Sequence, residues 1–241
     1  MTRTPSLSSP AQRGRGTARS AAEGPRGVDP TAIRPKVGAV ILAAGFSSRF
    51  RAAGGAGATK LAADLDGKPI VRRVAEAALA SKARPVVAVA GHARDAVEGA
   101  LAGLELEMAF NPDFASGLAS SLRTGLAAMP RDIKGALVLL GDMPWIESGL
   151  IDALIDAFLV RKDALAAVPL HEGRRGNPVL LGRGLFGAAM RLEGDEGARR
   201  LIAALTPEAC VEVAAPDASA IFDIDTPGDL AAARRLRARG P

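Results

Sequence analysis

A chain of 241 residues that is 48% hydrophobic is long enough to bury a three-layer core as one domain. Only 3% is aromatic, with no Tyr and one Trp, so the core must be Ala, Val, Leu and Ile, and the base-stacking platforms of a single-strand nucleic-acid binder are missing. The net charge of +5 lies wholly in the first 36 residues, where seven Lys/Arg face two acidic groups, which excludes a basic nucleic-acid-binding body.

Residues 1–35 are rich in Arg, Ser, Pro, Gly and Ala and predict a disordered basic tail, with the folded domain over 36–241. Val37 to Leu42 is an apolar run that reads as a fully buried strand. Ala43-Ala44-Gly45-Phe46-Ser47-Ser48-Arg49-Phe50 comes next, then a Gly/Ala-rich segment from Arg51 to Thr59, then Lys60. Small residues after a buried strand let backbone approach a ligand and turn N–H groups toward an anion, and Arg49 and Lys60 add two positive charges. The stretch is neither G-x-x-x-x-G-K-[ST] nor G-x-G-x-x-G, which argues against a P-loop kinase and a dinucleotide dehydrogenase.

Further on, the periodicity predicts helices over 71–79, 93–101, 116–129 (Ser116 as N-cap) and 146–160. Buried strands are predicted over 85–90, 104–110 and 135–140, the last delivering Gly141-Asp142-Met143-Pro144. In the last third, strands over 164–169 and 177–181 flank a polar turn, His171 to Gly176. Helices are expected over 185–192, 197–205 and 227–237, and short strands over 209–213 and 220–223. Apolar strands alternating with helices indicate an α/β, doubly wound, mostly parallel sheet in three layers, in a single domain. The single cysteine, Cys210, excludes an internal disulfide and a Cys-rich metal centre, and it suits a buried thiol in a reducing, cytoplasmic setting. No run of 18 apolar residues occurs, so no membrane span is expected.

Ligands of doubly wound sheets sit outside the carboxyl ends of the strands. Three features fall there: the loop from Ala43 to Lys60, Asp142, and Asp223-Ile224-Asp225-Thr226-Pro227. One Asp at a strand end is often only a helix cap, and Asp-Thr-Pro is a common helix start. Two Asp residues at two strand ends beside a cationic loop suit Mg²⁺, which binds through one or two carboxylates plus water and phosphate oxygens. His92 follows a strand and reads as a solvated histidine, with a loop residue near the ligand as the alternative; His171 reads as a surface turn, and no Ser-His-Asp arrangement is supported.

L-A-A-G-F-S-S-R, Lys60, Gly-Asp-Met-Pro and Asp-Ile-Asp-Thr-Pro-x-Asp-Leu, in this order, resemble the molybdenum cofactor nucleotidyltransferases. Gly117-Leu118-Ala119-Ser120-Ser121-Leu122, Arg175-Gly176-Asn177-Pro178-Val179 and Gly194-Asp195-Glu196-Gly197-Ala198-Arg199 resemble the cytidylyltransferase branch over residues 37–238. The guanylyl branch usually carries L-A-G-G and Asn near the last motif, so Ala44, Asp223 and Asp225 favour CTP. The Ala44 methyl is expected to narrow the base pocket and to bias the backbone away from positive φ.

The resemblance implies a Rossmann-like nucleotidyltransferase fold and Mg²⁺-dependent transfer of CMP from CTP to the phosphate of molybdopterin. It places Ala43, Ala44, Gly45 and Ser47 on the nucleotide, Arg49 and Lys60 on its phosphates, Gly117 and Ser121 by the base and ribose, and Asp142 and Asp225 on the metal. Asn177, Asp195 and Arg199 fall to the acceptor. The extended segment from Arg51 to Thr59 departs from the family loop and bears on where Lys60 lies. A monomer is expected, serving small-molecule substrates (an NTP and a pterin phosphate) and passing its product to a molybdoenzyme or its chaperone. Alternatives are guanylyl transfer from GTP, a sugar or polyol phosphate acceptor, or a non-catalytic cofactor-binding module. Some relatives with these motifs carry the label nicotine blue oxidoreductase.

Overall fold

The computed structural model describes residues 36–238, with side chains to Arg235; the expectation for residues 1–35 lies outside the described residues. The first strand, β1 (Val37–Ala43), is buried at every position because it has neighbours on both edges and helices on both faces. Alternation divides its side chains between two cores. Val37, Ala39, Ile41 and Ala43 enter one with α2 (Ile70–Ala80), α3 (Arg94–Leu101) and α5 (Ser148–Val160). Val40 and Leu42 enter the other with α4 (Leu118–Ala127), α6 (Phe186–Ala189) and α7 (Ala198–Ala203). Helices, sheet and helices thus make the three layers expected.

Eight strands form the sheet. β4 (Val86–Ala90), β5 (Glu107–Phe110) and β6 (Gly135–Leu140) run parallel to β1 in the order β6-β1-β4-β5. Register pairs Ala43 with Ala90, Ala90 with Phe110 and Leu42 with Leu140, so these four strands end along one edge. Beyond β6 lie β9 (Val179–Gly182), β7 (Ala166–His171) and β10 (Cys210–Ala214), with the two-residue β8 (Arg174–Arg175) on β7. β9 is antiparallel to both neighbours. Seven residues separate β7 from β9, too few for a parallel crossover, so the chain turns back as a hairpin.

A small ribbon, β2 (Asp64–Leu65) with β3 (Lys68–Pro69), packs with the last helix, α8 (Pro227–Ala238), in a satellite core of Phe50, Leu65, Ile70, Ile224, Leu230 and Ala233. Two expectations are corrected. Ser116 does not cap α4: its hydroxyl donates to Asp113 O at 2.8 Å, and the N-cap is Gly117 at φ 104°. Residues 220–223 are not a strand, because a 3₁₀ turn, Ala218–Ile221, starts where the Asp217 side chain accepts from Ser219 N at 2.8 Å. Among the described residues no helix is long and apolar enough to cross a membrane.

Candidate active site

A cleft of about 560 Å³ opens over the shared edge of β6, β1, β4 and β5. Its lining includes Ala44, Gly45, Ser47, Arg49, Lys60, Gly117, Ser121, Asp142, Asp195 and Asp225. Ala43, Asn177 and Arg199 are not among the lining residues. Ala43 closes β1 and faces the first core, and Arg199 is exposed on α7. Asn177 is buried, and its N–H donates to Ala220 O at 2.8 Å, bracing the chain just before Asp223.

The loop after β1 turns at Ser47, whose φ of 52° is left-handed and which precedes the short helix α1 (Ser48–Ala52). Neither Ala44 nor Gly45 has a positive φ, which for Ala44 agrees with the bias expected of its methyl. Ala44 is 3% exposed, and a Cβ added at Gly91 would stand 2.7 Å from its methyl, so that methyl packs toward β4 more than into the cleft. The long Arg51–Thr59 segment does not displace Lys60. Its ends are clipped together: Ser47 Oγ lies 3.0 Å from Thr59 Oγ1 and accepts from Lys60 N at 3.1 Å.

Lys60 Nζ sits 2.8 Å from Asp142 Oδ2 and 2.7 Å from Asp225 Oδ1, and Arg49 Nη1 pairs with Asp225 Oδ2. Burial is the largest influence on Lys60 and works against its charge. The charge and hydrogen bond of Asp142, then those of Asp225, outweigh it and raise the ammonium pKa. Lys60 is therefore charged in this setting.

Asp223 completes the acidic group: one carboxylate oxygen from each of Asp142, Asp223 and Asp225 lies within 4.8 Å of the others. Asp223 is exposed overall, yet partial desolvation, then the charges of Asp225 and Asp142, raise its carboxyl above the ordinary range. Sequence reading does not assign it to the metal. The available signal is the Asp-x-Asp spacing, which turns both carboxylates outward while Ile224, fully buried, turns in.

Asp142 Oδ1 is buried and has no hydrogen-bond partner among the described residues. An unpaired buried carboxylate oxygen beside two more carboxylates fits a hard divalent cation.

The helix-cap explanation for Asp225 fails. Thr226 and Asp229 form the capping box of α8: Asp229 Oδ2 accepts from Thr226 N at 2.7 Å, and Asp229 N donates to Thr226 Oγ1 at 3.2 Å. Against desolvation, the largest single influence, the bonds from Thr226 and from Asp225 N lower the Asp229 carboxyl. Asp225 keeps its side chain for the cleft.

Ile224 N donates to Asp142 O at 3.0 Å and so ties the two acidic segments together. Ile224→Ala should cost about 2–5 kcal/mol of stability. Urea unfolding would then show a lower midpoint at unchanged slope; an unmoved midpoint would deny Ile224 its anchoring role.

Residues in and around the cleft also escape sequence reading. Asn111, 1% exposed, donates to Ser120 Oγ at 2.8 Å and Ser121 Oγ at 3.0 Å, fixing the first turn of α4. Phe46 and Phe114 line the cleft with ring centroids 5.4 Å apart, and His92, exposed, lies 4.8 Å from Phe46 beside them.

A doubly wound sheet whose strand ends present small-residue backbone, two cations and three carboxylates is the layout of an α/β enzyme that handles a nucleotide's phosphates. The description MobA-like NTP transferase domain matches residues 39–213, and the chain belongs to that family of nucleotidyltransferases.

Among curated proteins, the bifunctional protein GlmU of Leifsonia xyli is 36% identical over 121 residues, covering 49% of this chain and 24% of that one. The chain spans 24 to 32% of the length of the GlmU relatives it matches. Among solved structures, the homologue of Mycobacterium tuberculosis Rv0371c from Mycobacterium sp. strain JC1 superposes at a TM-score of 0.70 with 26% identity, over 83% of this chain and 98% of that one. A nucleotidyl transferase from Methanothermobacter superposes at 0.74 with 22% identity, over 86% and 99%.

Proposed function

We propose that this chain transfers CMP from CTP to the phosphate of molybdopterin and releases pyrophosphate, with Mg²⁺ held by Asp142 and Asp225. The observation that carries the reading is the Lys60 ammonium between those two carboxylates, at the foot of a small-residue loop, in a member of the MobA-like family. The branch-specific motifs and Ala44, Asp223 and Asp225 favour the cytidylyl form by resemblance.

In this reading an acceptor phosphate oxygen attacks the α-phosphorus in line, the new P–O bond forms as the bond to pyrophosphate breaks, and no covalent enzyme intermediate arises. The bound cation supplies Lewis-acid stabilisation of charge on the reacting phosphates. Arg49 and Lys60 hold the phosphates that leave, and the backbone of Ala44 and Gly45 lies along the nucleotide. With the phosphates over β1 and β6, the base extends toward β4 and β5, where Phe46 and Phe114 stand. Asp195 flanks the acceptor side.

The test is pyrophosphate release with CTP and molybdopterin, run beside GTP and beside sugar phosphates. CTP should exceed GTP by at least about tenfold in kcat/KM, or about 1.4 kcal/mol of transition-state binding. Equal rates, or a preference for GTP, would overturn the cytidylyl reading, and release with a sugar phosphate alone would overturn the acceptor.

A further inference from the structure

We propose that Lys60 is an exchangeable counter-ion: it holds Asp142 and Asp225 together in the nucleotide-free protein and moves to the triphosphate, yielding its place to a divalent cation. This rests on the reading of Asp142 and Asp225 as metal-holding groups. It adds that Lys60 and the metal compete for the same oxygens, so metal and nucleotide bind as one coupled event.

Lys60 Nζ lies 2.8 Å from Asp142 Oδ2 and 2.7 Å from Asp225 Oδ1, which places it between the two groups assigned to the metal. Mg²⁺ sits about 2.0–2.1 Å from its oxygen ligands, so an ammonium bridging the same pair fills the space that the ion needs. Two positive centres that close, with Lys60 and Asp142 largely buried, repel strongly. Lys60 cannot stay where it is and share the seat.

Its departure also needs a destination. The Lys60 side chain is 11% exposed, and a desolvated ammonium stripped of both carboxylates is strongly unfavourable unless another anion receives it. The phosphates of a nucleotide in this cleft are that anion, since Lys60 lines it. Arg49 differs: its side chain is 76% exposed, so its pair with Asp225 is weak and water can replace it.

The charges support exchange over permanent bridging. Among the described residues three carboxylates face two cations, and one carboxylate oxygen, Asp142 Oδ1, is buried and has no hydrogen-bond partner beside Lys60. The ammonium therefore satisfies the acidic group only in part. Metal alone must displace Lys60 with nothing to take it, and nucleotide alone must approach the carboxylates. Each relieves the other's obstacle, and the coupling is reciprocal.

Mn²⁺ serves as the probe, with the free ion counted by electron paramagnetic resonance and no acceptor present. The wild-type protein should bind Mn²⁺ weakly alone and at least about tenfold more tightly with CTP. Lys60→Met should bind Mn²⁺ alone at least about tenfold more tightly than wild type, and CTP should add less. A fixed strut predicts the reverse, and Mn²⁺ affinity in Lys60→Met equal to or below wild type would overturn the exchange.

Lys60→Gln gives a second reading by melting: the rise in Tm on adding Mn²⁺ should exceed that of wild type, and an equal rise would overturn the proposal. Adding Asp142→Asn to Lys60→Met should remove the gained affinity. Its survival would show that Mn²⁺ binds elsewhere, which overturns the metal reading itself and not the exchange alone.

Discussion

Asp142→Asn is expected to lower kcat/KM by about 100- to 1,000-fold while the fold and metal-free CTP binding persist. The substitution hardly changes volume, and the main-chain bond from Ile224 N to Asp142 O is untouched. The change is one of charge: one of the two carboxylates beside Lys60 becomes neutral, and the buried Oδ1, which has no partner among the described residues, can become an amide nitrogen that repels a cation. Pyrophosphate release measures the first effect, and calorimetry with CTP in the presence of a chelator measures the second. Activity close to wild type would remove Asp142 from the proposed metal. Loss of CTP binding under chelation would show that the residue acts on the fold or on the nucleotide directly.

The parts of this site that the sequence exposes are those held by one strand each. Val37–Leu42 and Gly135–Leu140 are continuous apolar runs because parallel strands are covered on both faces, so the residues just after each run must emerge at the carboxyl edge. That logic finds the first loop and Asp142. It cannot find the bond from Lys60 to Asp225, which joins residues 165 apart, because nothing local encodes that pairing. The two residues are legible separately, Lys60 in the first loop and Asp225 in the Asp-x-Asp segment, but their contact is not.

Where local chemistry has two outcomes, sequence reading can choose the wrong one. Ser116 could cap a helix or close a turn, and the backbone of Gly117 decides for the turn. Asp225 could have been a cap, but Thr226 and Asp229 take that role three residues apart, a pattern visible as Thr-x-x-Asp. Ala44 reads from sequence as a wall of the base pocket, but the register of β1 against β4 turns its methyl toward Gly91, a neighbour with no side chain to fill that space. The proposed preference for CTP thus rests less on that methyl than the sequence suggests.

Gly117→Ala should be the most damaging single-methyl change in the cleft, at about 2–6 kcal/mol from backbone strain and overpacking together. Gly117 has φ 104° and ψ −177°, a region open in practice only to glycine. A Cβ there would lie 2.3 Å from the carbonyl carbon and oxygen of Gly194 and 2.9 Å from Asp195 N, all backbone atoms that cannot swing aside. The same contact carries a bond, Ala119 N to Gly194 O at 3.0 Å, which fastens the Asp195 loop to the start of α4. Prising the two apart should therefore move Asp195 and loosen Ser121 along with lowering stability. Gly194→Ala is the control, since its φ of 55° is left-handed but nothing lies within 4 Å of an added Cβ. It should cost only about 1–2 kcal/mol. Chemical denaturation of the two variants beside wild type decides the matter: a large loss for Gly117→Ala and a small one for Gly194→Ala is expected. Equal losses would mean that glycine is needed at both positions for backbone freedom alone, and that the close approach of the two loops does not hold this side of the cleft.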